Sequence, residues 1–447
     1  MASNRNDLTQ GTEWKVILRF AIPLLIGNLL QQTYFITDSI IVGQVLGKEA
    51  LAAVSASFFV YYFVISLVIG VGSGASVVVS QFFGAQQFDK VQGAFSSFFI
   101  FMFIAGICLS IGGIIFAEDI FRLTNTPEEV ISQAVAYFKI YIGGTFLFVT
   151  FNSVISILRG IGESIRPMLF ILCTSLLNIA LDLIFILWFK WGIEGAARAT
   201  VISQGVGMCI ALFYINNKHP LLSIKKKDLL FNVALFKEEL KIGLPTGIQQ
   251  CAIALGLIAL LTIVNQFGTD TLTAYGAAGK VDTLITQAIL TLSGALAAFC
   301  GQNIGAGKLD RVKKGLRFSM LINITFGLTI FSLIWLWGDK MMLAFTSDPN
   351  VIAIGREYLL ILGGFLVIHG ALNVYNGALR GAGDTLFTMV TSLFSLWLIR
   401  IPLAYFLSDR YAQAGIWWAI GLSILIAYTI TYIYYKSGYW KKYRVVK

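Results

Sequence analysis

The chain has 447 residues, 57% of them apolar and only 13% charged, with a mean hydropathy of +0.79. A soluble protein carries roughly a quarter of its residues as charges, so a water-soluble globular fold is excluded. The net charge of +10 reads as basic loops beside anionic lipid, not as a nucleic-acid surface.

Met1–Glu13 is polar and runs into an apolar stretch of full spanning length, so no cleavable signal sequence is expected. Twelve apolar runs follow, near 15–42, 51–80, 93–116, 132–157, 165–189, 193–215, 238–266, 272–299, 315–337, 351–377, 385–407 and 413–435. Each is long enough to cross a hydrocarbon core, which takes about 20 helical residues. The fold class expected is an all-α integral membrane protein with twelve transmembrane helices. Cys108, Cys173, Cys209, Cys251 and Cys300 all fall inside these runs without metal-ligand spacing and read as packing residues. No GxxxxGK[ST] loop is present, so transport driven directly by nucleotide hydrolysis is not expected.

With both termini inside, the inner segments hold 23 of the 33 basic residues, including Arg5, Arg159, the 218–241 connector, the 308–317 loop and the C-terminal tail. The outer loops hold five: Lys48, Arg122, Lys190, Lys340 and Arg410. The bias predicts cytoplasmic termini.

The chain also says much the same thing twice. Leu158-Arg159-Gly160-Ile161-Gly162-Glu163 recurs 221 residues on as Leu379-Arg380-Gly381-Ala382-Gly383-Asp384. Gln81, Gly84, Ala85 and Asp89 recur at the same offset as Gln302, Gly305, Ala306 and Asp310, and Gly47 recurs as Gly268. Six spans per half is an even number, so the halves are parallel repeats. The expected organisation is an N-terminal six-helix lobe over 1–217, a connector over 218–241 and a C-terminal six-helix lobe over 242–447. Lys225-Lys226-Lys227 opens the connector's second part, and Leu229, Val233, Phe236 and Leu240 at helical spacing predict an amphipathic interfacial helix there. Pro23 and Pro245, early in the first span of each half, are candidate bending points.

Two carboxylates lie deep in apolar spans, Asp38 in the first and Asp182 in the fifth. A charge there costs roughly 2.5–3.5 kcal/mol on insertion scales, which makes each a functional hypothesis. Span 1 ends near Val42, a turn beyond Asp38, and Asp182 lies roughly 22 Å up span 5 at the helical rise of about 1.5 Å per residue. Thr200 lies about 10 Å down span 6, in the same outer slab. Asn178 is one turn before Asp182, while Gln31 and Tyr34 share a face with Asp38. Asp38, Asn178, Asp182 and Thr200 suit either a hard cation such as Na+ or a proton shared between two carboxyls. Gln31, Tyr34 and Asn152 are expected to line the adjoining cavity, and Phe35, Tyr61, Tyr62, Phe148 and Phe151 are candidate walls of a path. In the second half Asp38 maps to Ala259 and Asp182 to Leu403, and what that half carries in its spans is Lys280, Asp282, His369 and Arg400.

Twelve spans in two sixes, Asp38 with Gly43 five residues on, and the repeated Leu-Arg-Gly-X-Gly motif resemble the multidrug and toxic compound extrusion (MATE) family over essentially the whole chain. Gln31, Tyr34, Asp38, Asn178, Asp182 and Thr200 are similar to the pattern of its DNA-damage-inducible protein F branch. The resemblance implies a cation site at these positions, without a cofactor beyond Na+ or H+ as coupling ion. It implies antiport export of cationic, amphipathic small molecules by alternating access. Gln249, Gln250, Asn373 and Tyr375 stand where another branch has acids, so no such site is expected in the second half. The chain is expected to work as a monomer in the lipid of a bacterial plasma membrane. A flippase for a lipid-linked precursor is the alternative, and an enzyme is not expected, because no HExxH, GxSxG or comparable motif is present.

Overall fold

The protein is described by a computed structural model over residues 7–124, 126–225 and 227–446, apart from the side chains of Lys48 and Phe59. The basic residues Arg5, Lys226 and Lys447, assigned above to the inner side, lie outside the described residues. The first half contains α1 (Glu13–Leu46), α2 (Lys48–Gly84), α3 (Phe88–Ile115), the short α4 (Ala117–Leu123), α5 (Glu128–Gly143), α6 (Thr145–Gly160), α7 (Ile165–Leu183) and α8 (Gly192–Lys218). The second contains α9 (Val233–Val264), α10 (Gly268–Gly305), α11 (Leu309–Leu343), α12 (Pro349–Ala382), α13 (Thr385–Leu393) and α14 (Ile401–Ser437).

Among the described residues, nine helical stretches are long and apolar enough to cross a membrane, and α5 with α6 makes a tenth, bent by 46°. Besides a kink at Trp337 near the end of α11, two of the longest contain a break. Residues Asn265–Phe267 form a tighter turn between α9 and α10, and α14 is interrupted at Tyr411 and Ala412. Dividing each at its break gives the twelve predicted spans. The fourth is where prediction and structure differ in shape, since a continuous run over 132–157 is folded at Gly143-Gly144. A side chain at Gly144 would lie 2.5 Å from Val201, so the bend lets α8 approach where a straight helix with larger residues would not.

The repeated motif is a packing device in both halves. A Cβ on Gly160 would meet the Ser76 carbonyl at 2.6 Å, and one on Gly381 would meet the Ala297 carbonyl at 2.4 Å. Ser76 and Ala297 are themselves one repeat apart, so each half brings its fourth span against its second at the same point. Gly162 (φ +89°) and Gly383 (φ +97°) then take the left-handed conformation that ends the helix. The acid that follows ties down the half's last span. The Tyr214 hydroxyl donates to Glu163 at 3.2 Å, and the Tyr434 hydroxyl donates to Asp384 at 2.6 Å.

The chain divides into two compact units, one holding Ile22–Leu244 and the other Leu8–Ala21 with Pro245–Lys447. The chain therefore changes unit beside Pro23 and Pro245. Hydrogen bonds explain the placement. Leu8 donates its N–H to Gln302 at 2.9 Å, Lys308 donates to the Thr9 carbonyl at 3.0 Å and Arg311 to the Gly11 carbonyl at 2.8 Å. In the first unit, Gln92 receives the Ser223 N–H at 2.9 Å and Ser97 receives that of Asn232 at 2.8 Å. The separate amphipathic helix expected in the connector is absent from the described residues. Leu229 precedes α9, whereas Val233, Phe236 and Leu240 lie in its first turns. Asn232 Oδ1 accepts from the N–H groups of Ala234 and Leu235 at 3.0 and 3.2 Å, a side-chain cap that starts the helix there. The amphipathic spacing is that of the leading end of the seventh span.

Candidate functional site

α1 remains helical through residues 31–38, so Gln31, Tyr34 and Asp38 share one face. α7 does the same for Asn178 and Asp182, and its α-helical turns end one residue past Asp182, giving way to a wider π turn over Ile184–Trp188. Such turns occur often at functional sites. α8 brings Thr200 to the same place. Asp38 is 6% exposed, Asp182 0%, Asn178 2% and Thr200 3%.

The two carboxyl groups lie close enough to act on each other directly, and two carboxyls at that range cannot both ionise cheaply. One oxygen of each, Oδ1 of Asp38 and Oδ1 of Asp182, is buried without a partner. With the Asn178 amide oriented to satisfy both its ends, its nitrogen donates to Asp182 Oδ2 at 2.9 Å and its oxygen accepts from the Thr200 N–H at 3.2 Å. The Thr200 hydroxyl lies 3.2 Å from that same amide oxygen and from the Ala196 carbonyl. Tyr34 lies against Thr200 and within electrostatic reach of both carboxyls. The four residues named for a cation or proton site thus lie together in one buried cluster, in which Asn178 is hydrogen-bonded to Asp182 and Thr200.

A cavity of about 180 Å³ adjoins it, lined among others by Gln31, Tyr34, Asn152, Asn178 and Arg159. The three expected lining residues all reach its wall. Asp38, Asp182 and Thr200 lie behind that wall, with Tyr34 and Asn178 between them and the space. Of the five aromatics, Phe148 and Phe151 line the cavity. Tyr61 is buried against Tyr141, with ring centroids 4.3 Å apart, and Tyr62 is 37% exposed.

Sequence reasoning missed two parts of the site. Tyr137 and Tyr141 on α5 face Asp38 electrostatically; their spacing of four residues was the available signal. Arg159, read only as part of a repeated motif, stands on the cavity wall in register with Asn152 and Ile155, as a helical stripe at intervals of three and four requires. By contrast Arg198 pairs with Glu194 at 2.6 Å on the opposite face from Thr200, as the two-residue offset between Arg198 and Thr200 dictates.

The second half's polar residues form a different pattern. Arg400 donates to Ser423 at 2.9 Å and faces Asp282 electrostatically. Lys280 lies 5.8 Å from the Phe345 ring centroid, and Gln249 donates to Ser392. No such pair of carboxyls is found there among the described residues.

The profile of the MatE family matches residues 23–184 and again 245–406. The chain is similar to the probable multidrug resistance protein YpnP of Bacillus subtilis (strain 168), 33% identical over 438 residues that cover 97% of each chain. It is similar, at 25% identity over 90% of this chain and 89% of the other, to the FAD transporter of Shewanella oneidensis (strain ATCC 700550 / JCM 31522 / CIP 106686 / LMG 19005 / NCIMB 14063 / MR-1). In fold it resembles the outward-facing structure of a multidrug resistance MATE family transporter of the MOP superfamily, with a TM-score of 0.91, 24% identity and coverage of 99% of this chain and 100% of the other. Matched twice along its length, at the two repeats its own sequence displays, the chain belongs to the MatE family, a family of membrane transporters and not of enzymes.

Proposed function

We propose that the chain is a secondary active exporter of amphipathic organic molecules, drugs among them, driven by Na+ or H+ that binds in its first half. The observation that carries this reading is the buried, adjacent pair Asp38–Asp182, with one unpartnered oxygen on each. Two carboxyls in a low-dielectric site cannot both ionise cheaply, so the pair exchanges a proton or accepts a cation with the amide and hydroxyl oxygens of Asn178 and Thr200. Either event gives the cluster a different charge or a different ligand.

That change is what alternating access needs. A ligand shifts a two-state equilibrium only by the difference in its affinity for the two states. Tyr34 and Asn178, which touch the cluster on one side and the cavity on the other, are the residues through which the ion and the cargo sense each other. The name of the Bacillus subtilis relative supports drugs as cargo. The reading includes a bacterial plasma membrane location, cytoplasmic termini and a monomer as working unit, since one chain carries both halves.

The test is uptake of a fluorescent cationic dye into inverted vesicles under an imposed Na+ or pH gradient. Wild type is expected to follow one of the gradients, and Asp38→Asn and Asp182→Asn to abolish uptake at unchanged expression. Uptake by both variants at the wild-type rate would remove the acids from the mechanism.

A further inference from the structure

Arg159 is the basic residue on the wall of the first-half cavity, and it stands there without a counter-charge. Its Nε is buried without a hydrogen-bond partner, and among the described residues it forms no ion pair. Arg122, Arg198 and Arg311 all meet carboxylates at 3.4 Å or closer. The residue as a whole is only half-buried, at the end of α6, so its Nε lacks a partner while the rest of the guanidinium is open to a ligand. The cavity offers it more unused polarity, because Gln204 Oε1 is also buried without a partner there.

The cavity is polarised along its length. Arg159 is in the last turn of α6, eleven residues from Phe148 on the same wall, or about 16 Å of helix. At the Phe148 end, the Tyr61 ring lies 6.1 Å from Phe148 and 4.3 Å from Tyr141, which faces Asp38. The carboxyl cluster therefore stands behind one end and the guanidinium at the other, with Phe151, Asn152 and Ile155 between them.

We propose that Arg159 is an anion subsite of this cavity, so that the cargo carries a carboxylate or phosphate oxyanion at one end as well as its cationic or apolar part. The planar guanidinium matches either group with two parallel hydrogen bonds. A volume of about 180 Å³ equals about six waters at roughly 30 Å³ each, which suits a small aromatic zwitterion. The inference rests on the reading of this cavity as the cargo site, but not on the identity of the coupling ion. Arg380, the repeat partner of Arg159, also has a buried Nε without a partner. It belongs to the other unit and serves as the control.

The test is calorimetric titration of the full-length protein in phosphatidylcholine nanodiscs with 4-(aminomethyl)benzoate and with its methyl ester, which lacks the anion. Wild type is expected to bind the acid roughly tenfold or more tightly than the ester, the scale of one charge-assisted hydrogen-bond pair. Arg159→Gln brings the ratio to about one, Arg159→Lys keeps part of it, and Arg380→Gln leaves it at the wild-type value. Because both ligands are measured on one preparation, a partly folded variant scales both and leaves the ratio intact. Equal binding of acid and ester by wild type would overturn the subsite, as would a preference that survives Arg159→Gln. Phosphatidylglycerol in the discs separates two sources of the oxyanion. If it competes with the acid and not with the ester, a lipid headgroup is the occupant, and if it competes with neither, the occupant is a soluble cargo. A preference for the acid that persists in Asp38→Asn while dye transport shows no dependence on either gradient would leave the subsite standing and remove the coupling reading alone.

Discussion

At residues 160 and 381 the two halves are nearly the same object, and at residues 38 and 259 they are not. Gly160 and Gly381 bring the fourth span of each half against the carbonyls of Ser76 and Ala297 at equivalent points. Glu163 and Asp384 each accept a hydrogen bond from a tyrosine of the last span. The acid pair has no such twin, since Ala259 and Leu403 occupy its places. Duplication explains the scaffold, and the proposed coupling site lies where the halves depart from it. What both halves keep serves packing, which each half needs alone, whereas a coupling site needs to exist only once.

The comparison can be broken where effects should be largest. Asp38→Asn and Asp182→Asn should each reduce gradient-driven transport by more than tenfold, while Asp282→Asn in the second half should leave more than half of it. Loss of transport in Asp282→Asn equal to that of the first pair would show the coupling to be spread over both halves. Next in size are the glycines. Gly160→Ala and Gly381→Ala insert a methyl group 2.6 and 2.4 Å from a backbone carbonyl, and each should cost about 1–3 kcal/mol of stability, the range for overpacking. Similar losses of melting temperature in the two variants sharpen the comparison; a loss in one alone would mean that the repeat is not structurally equivalent there.

Smaller effects follow from single hydrogen bonds. Thr200→Val removes an oxygen from the cluster while keeping its shape, and should raise the half-saturating concentration of the coupling ion several-fold with little change in maximal rate. Unchanged ion dependence would take Thr200 out of the site. Tyr214→Phe and Tyr434→Phe each remove a hydrogen bond to a carboxyl group, worth about 1 kcal/mol. They should lower stability by similar small amounts and leave transport intact. A transport defect in either would give the repeated motif a part in the conformational change.

The sequence carried more of the site than is usual because its chemistry is written in positions where apolar residues are the rule. Asp38 and Asp182 are conspicuous for being charged inside apolar runs; helical spacing then selects Tyr34 and Asn178, and depth in the membrane selects Thr200. The parts not legible were of two kinds. The bend at Gly143-Gly144 depends on the crowding of Val201 in a distant helix, which no local pattern records. The unit boundaries beside Pro23 and Pro245 depend on hydrogen bonds between residues nearly 300 positions apart, such as Leu8 with Gln302. Arg159 was visible but explained too soon, since membership of a repeated motif hid its place on the cavity wall. Glu239, fully buried with neither carboxyl oxygen partnered, escaped notice for a related reason, because it falls in a stretch that reads as a basic connector.

The central claim is that the first-half carboxyl pair binds the coupling ion. It is tested most directly by titrating the purified protein with NaCl at constant ionic strength in weak buffer, with heat and released protons measured together. The account predicts saturable Na+ binding accompanied by proton release in wild type, or, if H+ is the coupling ion, no response to NaCl but uptake of a proton when acid is added in its place, and loss of that signal in both Asp38→Asn and Asp182→Asn. A signal of wild-type size that persists in both variants would contradict it.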